Sequence, residues 1–104
     1  KWEVDPRMFN AVGVVFGGYL TALAEHVANV TMMTVLEEGQ HFRVIELGHS
    51  YYRGVSKGAL SFEGTVIHGG ARTKQLEIEF TLDEGRVAGK THICALILPA
   101  GEAR

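Results

Sequence analysis

The chain has 104 residues, of which 46% are hydrophobic and 21% charged, with ten Lys and Arg against twelve Asp and Glu. That length fits one domain over residues 1–104, since compact domains run to roughly 100–150 residues, and the composition excludes disordered and fibrous classes. A formal charge of −2 offers no basic footprint for nucleic acid, and the single Cys94 excludes an intrachain disulfide.

No apolar stretch approaches the ~20 residues needed to span a bilayer, and no Cys/His cluster has metal-site spacing. A reducing cytoplasm is the expected compartment, with neither membrane nor nucleic acid as a partner. The visible start, Lys-Trp-Glu, carries no apolar leader and no initiating Met, so a missing leader is expected. Trp2 to Val4 reads as a short strand, followed by an irregular segment, Asn10-Ala-Val-Gly-Val-Val-Phe-Gly-Gly18. From Gly18 to about Glu38 the sequence is helix-like, with good formers, no proline, and Gly39 as a stop. An advance of ~100° per residue puts Leu20, Leu23, Ala24, Val27, Thr31 and Val35 on one stripe, expected to lie on a sheet. Ala22, Glu25, Asn29, Met33 and Leu36 line the opposite face. An exposed face is normally charged, so this one predicts a second buried surface against another copy of the chain.

After Gly39 the pattern changes to strand. Phe42 to Arg53 is rich in aromatic and β-branched residues, with Ile45, Leu47, His49 and Tyr51 on one face. Val55-Ser-Lys-Gly58 turns, Ala59 to His68 is a strand, and Gly69-Gly70 turns again. Lys74 to Asp83 alternates, with Leu76, Ile78, Phe80 and Leu82 opposite Glu77, Glu79, Thr81 and Asp83. Asp83-Glu-Gly85 turns into a last strand, Arg86 to Leu98, ended by Pro99. Three short turns predict an antiparallel meander of four strands, and one helix on such a sheet is α+β. Cys94, within the last strand, is expected as a small core residue.

Chemistry concentrates where the glycine pair meets the helix. Unpaired N–H groups and the positive end of the macrodipole at Gly17 and Gly18 can stabilise negative charge, as at an oxyanion. Glu25, seven residues beyond Gly18 on the semi-apolar face, is a candidate base or nucleophile. Asn29 shares that face and can orient Glu25 or a water, while Asn10 offers a loop amide. The five histidines are scattered and suggest no metal site. Arg53, Lys57, Arg72 and Lys74 fall near strand ends and turns, where basic groups can meet phosphates.

Asn10-x-x-Gly13-x-x-Phe16-Gly17-Gly18 followed by Leu20 and Leu23-Ala24-Glu25 resembles the signature of hotdog-fold thioesterases of the phenylacetate-pathway (PaaI-like) type. The resemblance continues through Ser50-Tyr-Tyr-Arg-Gly-Val55, Gly58-x-Leu60, Val66-Ile-His68-x-Gly70-x-Arg72 and Asp83-Glu-Gly85-Arg-Val-Ala88. It implies a helix wrapped by a curved antiparallel sheet, a homodimer or homotetramer with sites at the interface, and hydrolysis of acyl-CoA thioesters without metal or organic cofactor. Residue by residue, it implies Glu25 as the catalytic carboxylate, the Gly17 amide as donor to the thioester carbonyl, and Asn10 as the loop amide. Phe16, Gly18, Asn29 and Arg72 are expected at the substrate. Phe16 stands where the family usually has histidine, which leaves a non-catalytic hotdog module binding an acyl-CoA or similar ligand as the alternative. The acyl group, and CoA against an acyl-carrier protein, stay open.

Overall fold

The computed structural model describes residues 1–99. In chain order they form β1 (Trp2–Glu3), a 3-10 turn (Pro6–Met8), α1 (Gly17–Met33), β2 (His41–Tyr51), β3 (Ala59–Gly69), β4 (Thr73–Leu82) and β5 (Val87–Leu98). The strands make one antiparallel sheet in the order β1-β3-β4-β5-β2. The expected α+β architecture, one helix on a curved antiparallel sheet, is the one observed.

The meander expectation holds for β3, β4 and β5 and fails for β2. β2 pairs with β5 along its length, from His41 opposite Leu98 to Tyr51 opposite Gly89. Residues 52–58 therefore carry the chain from one edge of the sheet towards the other instead of closing a hairpin. The local turn is present, with Gly58 at φ +79°, but a turn bends a chain without choosing the strand it returns to. β5 supplies the reason. Most of it is buried, including Ala88, Thr91, Ile93, Ala95 and Ile97, so its backbone groups need a neighbour on each side, and β4 provides only one.

A bulge between Val44 and Glu46 resets the register of β2. Phe42 and Val44 face inward before it; Leu47, His49 and Tyr51 lie opposite Ile93, Thr91 and Gly89 after it. Ile45, expected on the same face as those three, is the residue displaced, and it is exposed.

The helix lays Leu20, Ala24, Ala28 and Met32 on the sheet, flanked by half-buried Leu23, Val27 and Thr31. Gly64 of β3 permits the approach, because a Cβ there would collide with the Thr31 hydroxyl. The rear of the helix packs with Leu76, Ile78, Ile93 and Ala95, and its front with Val15, Val55, Leu60, Phe80 and Ala88. Each large side chain so buried contributes about 1.5–3 kcal/mol. Cys94 is buried as expected.

The helix stops at Met33 rather than near Glu38. The Thr34 hydroxyl donates to Thr31 O at 2.7 Å, and the Val35 and Leu36 amides both turn back to Met32 O. β-Branched Thr34 and Val35 are weak helix formers, and stopping here lets Leu36 fold onto the core instead of standing on the outer face. Val35, expected on the sheet-facing stripe, is exposed; Ala22, Glu25, Asn29 and Met33 are exposed as the outer face, Met33 at 74%.

Candidate active site at the helix N-terminus

The segment before the helix is held by its own hydrogen bonds. Asn10 Oδ1 accepts from the Val12 and Val14 amides at 3.0 and 3.3 Å, and the Asn10 amide donates to Val14 O at 2.7 Å. Gly13 supplies the φ of +83° that this tight loop requires. Two further bonds fix its exit: the Val15 amide donates to Val55 O at 2.8 Å and the Phe16 amide to Met8 O at 2.9 Å.

Phe16 is the N-cap residue and has no side chain able to cap. Its carbonyl accepts from the Tyr19 and Leu20 amides. Among the described residues, the Gly17 and Gly18 amides meet no protein acceptor. Gly17 lines a cleft of about 390 Å³ with Asn10, Val15, Leu20, Tyr51 and Val55. A second cleft of about 700 Å³ shares Tyr52, Arg53 and Gly54 with it and adds Lys57 and Arg86. Together they form a trough, with apolar walls near Gly17 and charges of both signs farther out, where Asp83 and Glu84 stand beside Arg53, Lys57 and Arg86.

Tyr51 reaches across this cleft. Its hydroxyl lies 3.1 Å from Thr21 Oγ1, and Thr21 Oγ1 also donates to Gly17 O at 3.0 Å. A Cβ placed on Gly17 would sit 2.5 Å from the Tyr51 oxygen, so the absence of a side chain at 17 is what admits the phenol. Behind it, the His49 ring packs at a tilt of 48° against Tyr51 and stacks on Phe80, with centroids 4.1 and 5.2 Å away. His49 Nδ1 bonds the buried Thr91 hydroxyl, and burial pushes the imidazole pKa down. The sequence pattern put His49 on this face; Thr21 and Tyr51 carry no motif that marks their meeting, which only the sheet order creates.

Thr21, Glu25 and Asn29 are spaced by four and form one row along a flank of the helix. The Thr21–Tyr51 bond shows that this flank overlooks β2. Glu25 and Asn29 are both exposed. At ~1.5 Å of rise per residue, Glu25 stands about 12 Å along the axis from Gly17. One chain therefore does not bring its carboxylate to its own glycine amides.

A family model described as the thioesterase superfamily matches residues 12–88. The chain belongs to the thioesterase superfamily. Among relatives, it is 32% identical over 86 residues to the proofreading thioesterase EntH of Klebsiella pneumoniae, covering 83% of this chain and 63% of that protein. The crystal structure of thioesterase HI1161 from Haemophilus influenzae superposes with a TM-score of 0.90 at 24% identity, covering 98% of this chain and 71% of that one. BH2602 of Bacillus halodurans, crystallised with CoA, gives 0.86 at 20% identity over 92% of this chain and 68% of that one. The chain spans 55% and 63% of the lengths of two curated relatives that it matches at 32% identity.

In this thioesterase-superfamily chain the expected residues fall into three groups. Asn10, Phe16, Gly17 and Gly18 are together at the helix mouth: Asn10 shapes the loop, Phe16 is half exposed beside it, and Gly18 has open space where a Cβ would point. Glu25 and Asn29 form the separate row described above. Arg72 stands apart from both, in the β3–β4 turn beside a cleft lined by Gln40, Arg43 and Leu98. Arg53, Lys57 and Arg86, the last paired with Glu84, are the cations lining the Gly17 trough within one chain, and Arg72 is not among them. Among the described residues, no three His, Cys, Asp or Glu side chains gather as a metal site.

Proposed function

We propose that the chain is an acyl-CoA thioesterase whose site is completed by a second copy. The observation that carries this reading is the division of the helix. The uncapped Gly17 amide opens on a cleft, while the only carboxylate in the Thr21–Glu25–Asn29 row lies about 12 Å away, over an edge strand.

Among the described residues β2 is that edge: ten of its 11 residues pair with β5, and no strand pairs along its other side. Exposed edges of this length invite pairing, and a two-fold axis at β2 joins two sheets into one. The flanks carrying Glu25 then meet at the seam, where Glu25 of one copy approaches Gly17 of the partner subunit. The dimer, or a tetramer of two such dimers, also covers Val30 and Met33, which are exposed in one chain.

The reaction follows from these groups. Glu25 takes a proton from a water whose oxygen adds to the thioester carbonyl carbon, or attacks that carbon directly, in which case water then hydrolyses the mixed anhydride left on Glu25. The carbonyl π electrons move to oxygen, where the Gly17 N–H and the helix macrodipole stabilise the charge. Collapse of the intermediate breaks the C–S bond and releases the thiolate, which takes up a proton. Asn10 keeps the loop that aims the Gly17 amide, Phe16 and Val15 offer apolar contact to the acyl chain, and Gly18 leaves room for it. Asn29 lies one turn from Glu25, within reach to orient a water. Arg53 and Lys57 suit the CoA phosphates, and the CoA in the BH2602 crystal supports this carrier over an acyl-carrier protein. The proposed compartment is the cytoplasm.

The test is a panel of aromatic, short and medium acyl-CoAs with thiol release as the readout. Turnover of at least one class is expected. Binding without turnover by the folded dimer selects the non-catalytic module, for which Phe16 in place of the family's histidine is the favouring feature.

A further inference from the structure

We propose that the Tyr51 hydroxyl is a second hydrogen-bond donor to the thioester carbonyl oxygen, beside the Gly17 amide, which makes Tyr51 a further catalytic residue. The assignment rests on the thioesterase reading above.

An oxygen developing full negative charge is best held by more than one preorganised donor. The Gly17 amide is one, and the side chain next to it, Phe16, has none to give. Tyr51 fills that vacancy from β2. Its oxygen is 2.5 Å from the position of a Gly17 Cβ, and the residue is half exposed to the cleft.

The hydrogen-bond economy around Thr21 lets the phenol change partners. Thr21 has one hydroxyl proton and two acceptors within reach, Gly17 O at 3.0 Å and Tyr51 Oη at 3.1 Å. With that proton on Gly17 O, Tyr51 donates to Thr21. With it on Tyr51 Oη, the Tyr51 proton is released to an acceptor in the cleft, and the phenol is polarised into a stronger donor. The exchange needs only two hydroxyl rotations, and no heavy atom has to move. The phenol keeps its proton throughout, so the step adds no net transfer to the hydrolysis.

The ring cannot wander. His49 packs at a tilt against it at 4.1 Å, Phe80 stacks behind His49 at 5.2 Å, and the Thr91 hydroxyl holds the imidazole. A tyrosine serving only as a strut between β2 and the helix would show the same packing, so the experiment has to separate donor from strut.

Two inert CoA analogues do so: a ketone in which CH2 replaces sulfur, and a thioether lacking the carbonyl. Binding of each is measured by calorimetry for the wild type, Tyr51→Phe and Thr21→Val, with kcat followed in parallel. The wild type is expected to prefer the ketone, and Tyr51→Phe to lose about five- to tenfold of that preference with thioether affinity unchanged. Thr21→Val, which leaves the donor but removes its polarisation by the Thr21 hydroxyl, is expected to lose clearly less of the preference than Tyr51→Phe. An unchanged ratio in Tyr51→Phe overturns the assignment. So do equal losses in both variants, or a wild type that does not prefer the ketone. If the ratio falls in Tyr51→Phe while the wild type hydrolyses no thioester, the carbonyl donor stands and the hydrolase reading falls.

Discussion

The two ends of one helix flank differ sharply in how much of their environment a single chain supplies. At the mouth, residues 10 to 21 are tied to the 3-10 turn, to Val55 and to Tyr51 by backbone and side-chain bonds. One turn farther on, Glu25 and Asn29 stand in solvent. The difference teaches that one chain builds the donors of the proposed oxyanion site by itself, whereas the proposed carboxylate depends for its environment on the proposed second copy.

The substitution with the largest expected effect strikes the bare half alone. Glu25→Gln keeps shape and hydrogen bonding but removes the charge, and should lower kcat by about 10² or more while oligomeric state stays unchanged by light scattering. Wild-type turnover in that variant would mean that the solvated row takes no part in the chemistry. Next, Met33→Asp places like charges near the proposed seam on a residue that is largely exposed in one chain. It should weaken the dimer at least about tenfold in sedimentation and lower activity in proportion to the dimer lost. A dimer as tight as the wild type would move the interface elsewhere.

A smaller effect is expected at the built half. Phe16→His restores a polar group at the mouth and should raise kcat or reorder the acyl-CoA panel. Identical rates across the panel would remove position 16 from the site. The smallest concerns His49 behind Tyr51. Burial lowers its pKa in the folded chain, so the unfolded chain binds the proton first as pH falls below about 6.5. Stability is then lost on acidification through that range and is recovered as pH rises. Thermal melts from pH 7.5 to 5.5 should show a decline that is reduced in His49→Phe; equal declines would discharge His49 as the cause.

The glycine pair, the long helix and four strands were legible because each is written in local pattern: Gly17-Gly18 before good helix formers, and β4 as strict alternation. The partner of β2 was not, since the turn at Ser56 to Gly58 has the same chemistry whether it closes a hairpin or begins a crossing. The bulge at Ile45 was hidden for a related reason. Period-two counting assumes no inserted residue, and nothing in Val44-Ile-Glu46 announces one. Both misses bear on the site, because the order and register of β2 are what set Tyr51 beside Gly17 and His49 opposite Thr91. Arg72 was legible only as a turn residue: its motif places it between β3 and β4 and says nothing about which cleft that turn borders, and within one chain it borders a cleft other than the one at Gly17.

The Val15–Val55 bond also bears on the order of assembly. It closes a loop of forty residues, and contacts so distant along a chain repay their closure entropy only after the intervening elements are in place. An excised segment ending at Met33 would hold every glycine of the motif and the whole helix, yet not the carbonyl of Val55 or the ring of Tyr51. Its donors would be present in sequence and unaimed in space. The donor geometry of the proposed oxyanion site is therefore created late, when the crossing strand connection seats itself under the loop, so that the folding of the sheet and the aiming of those donors are one event.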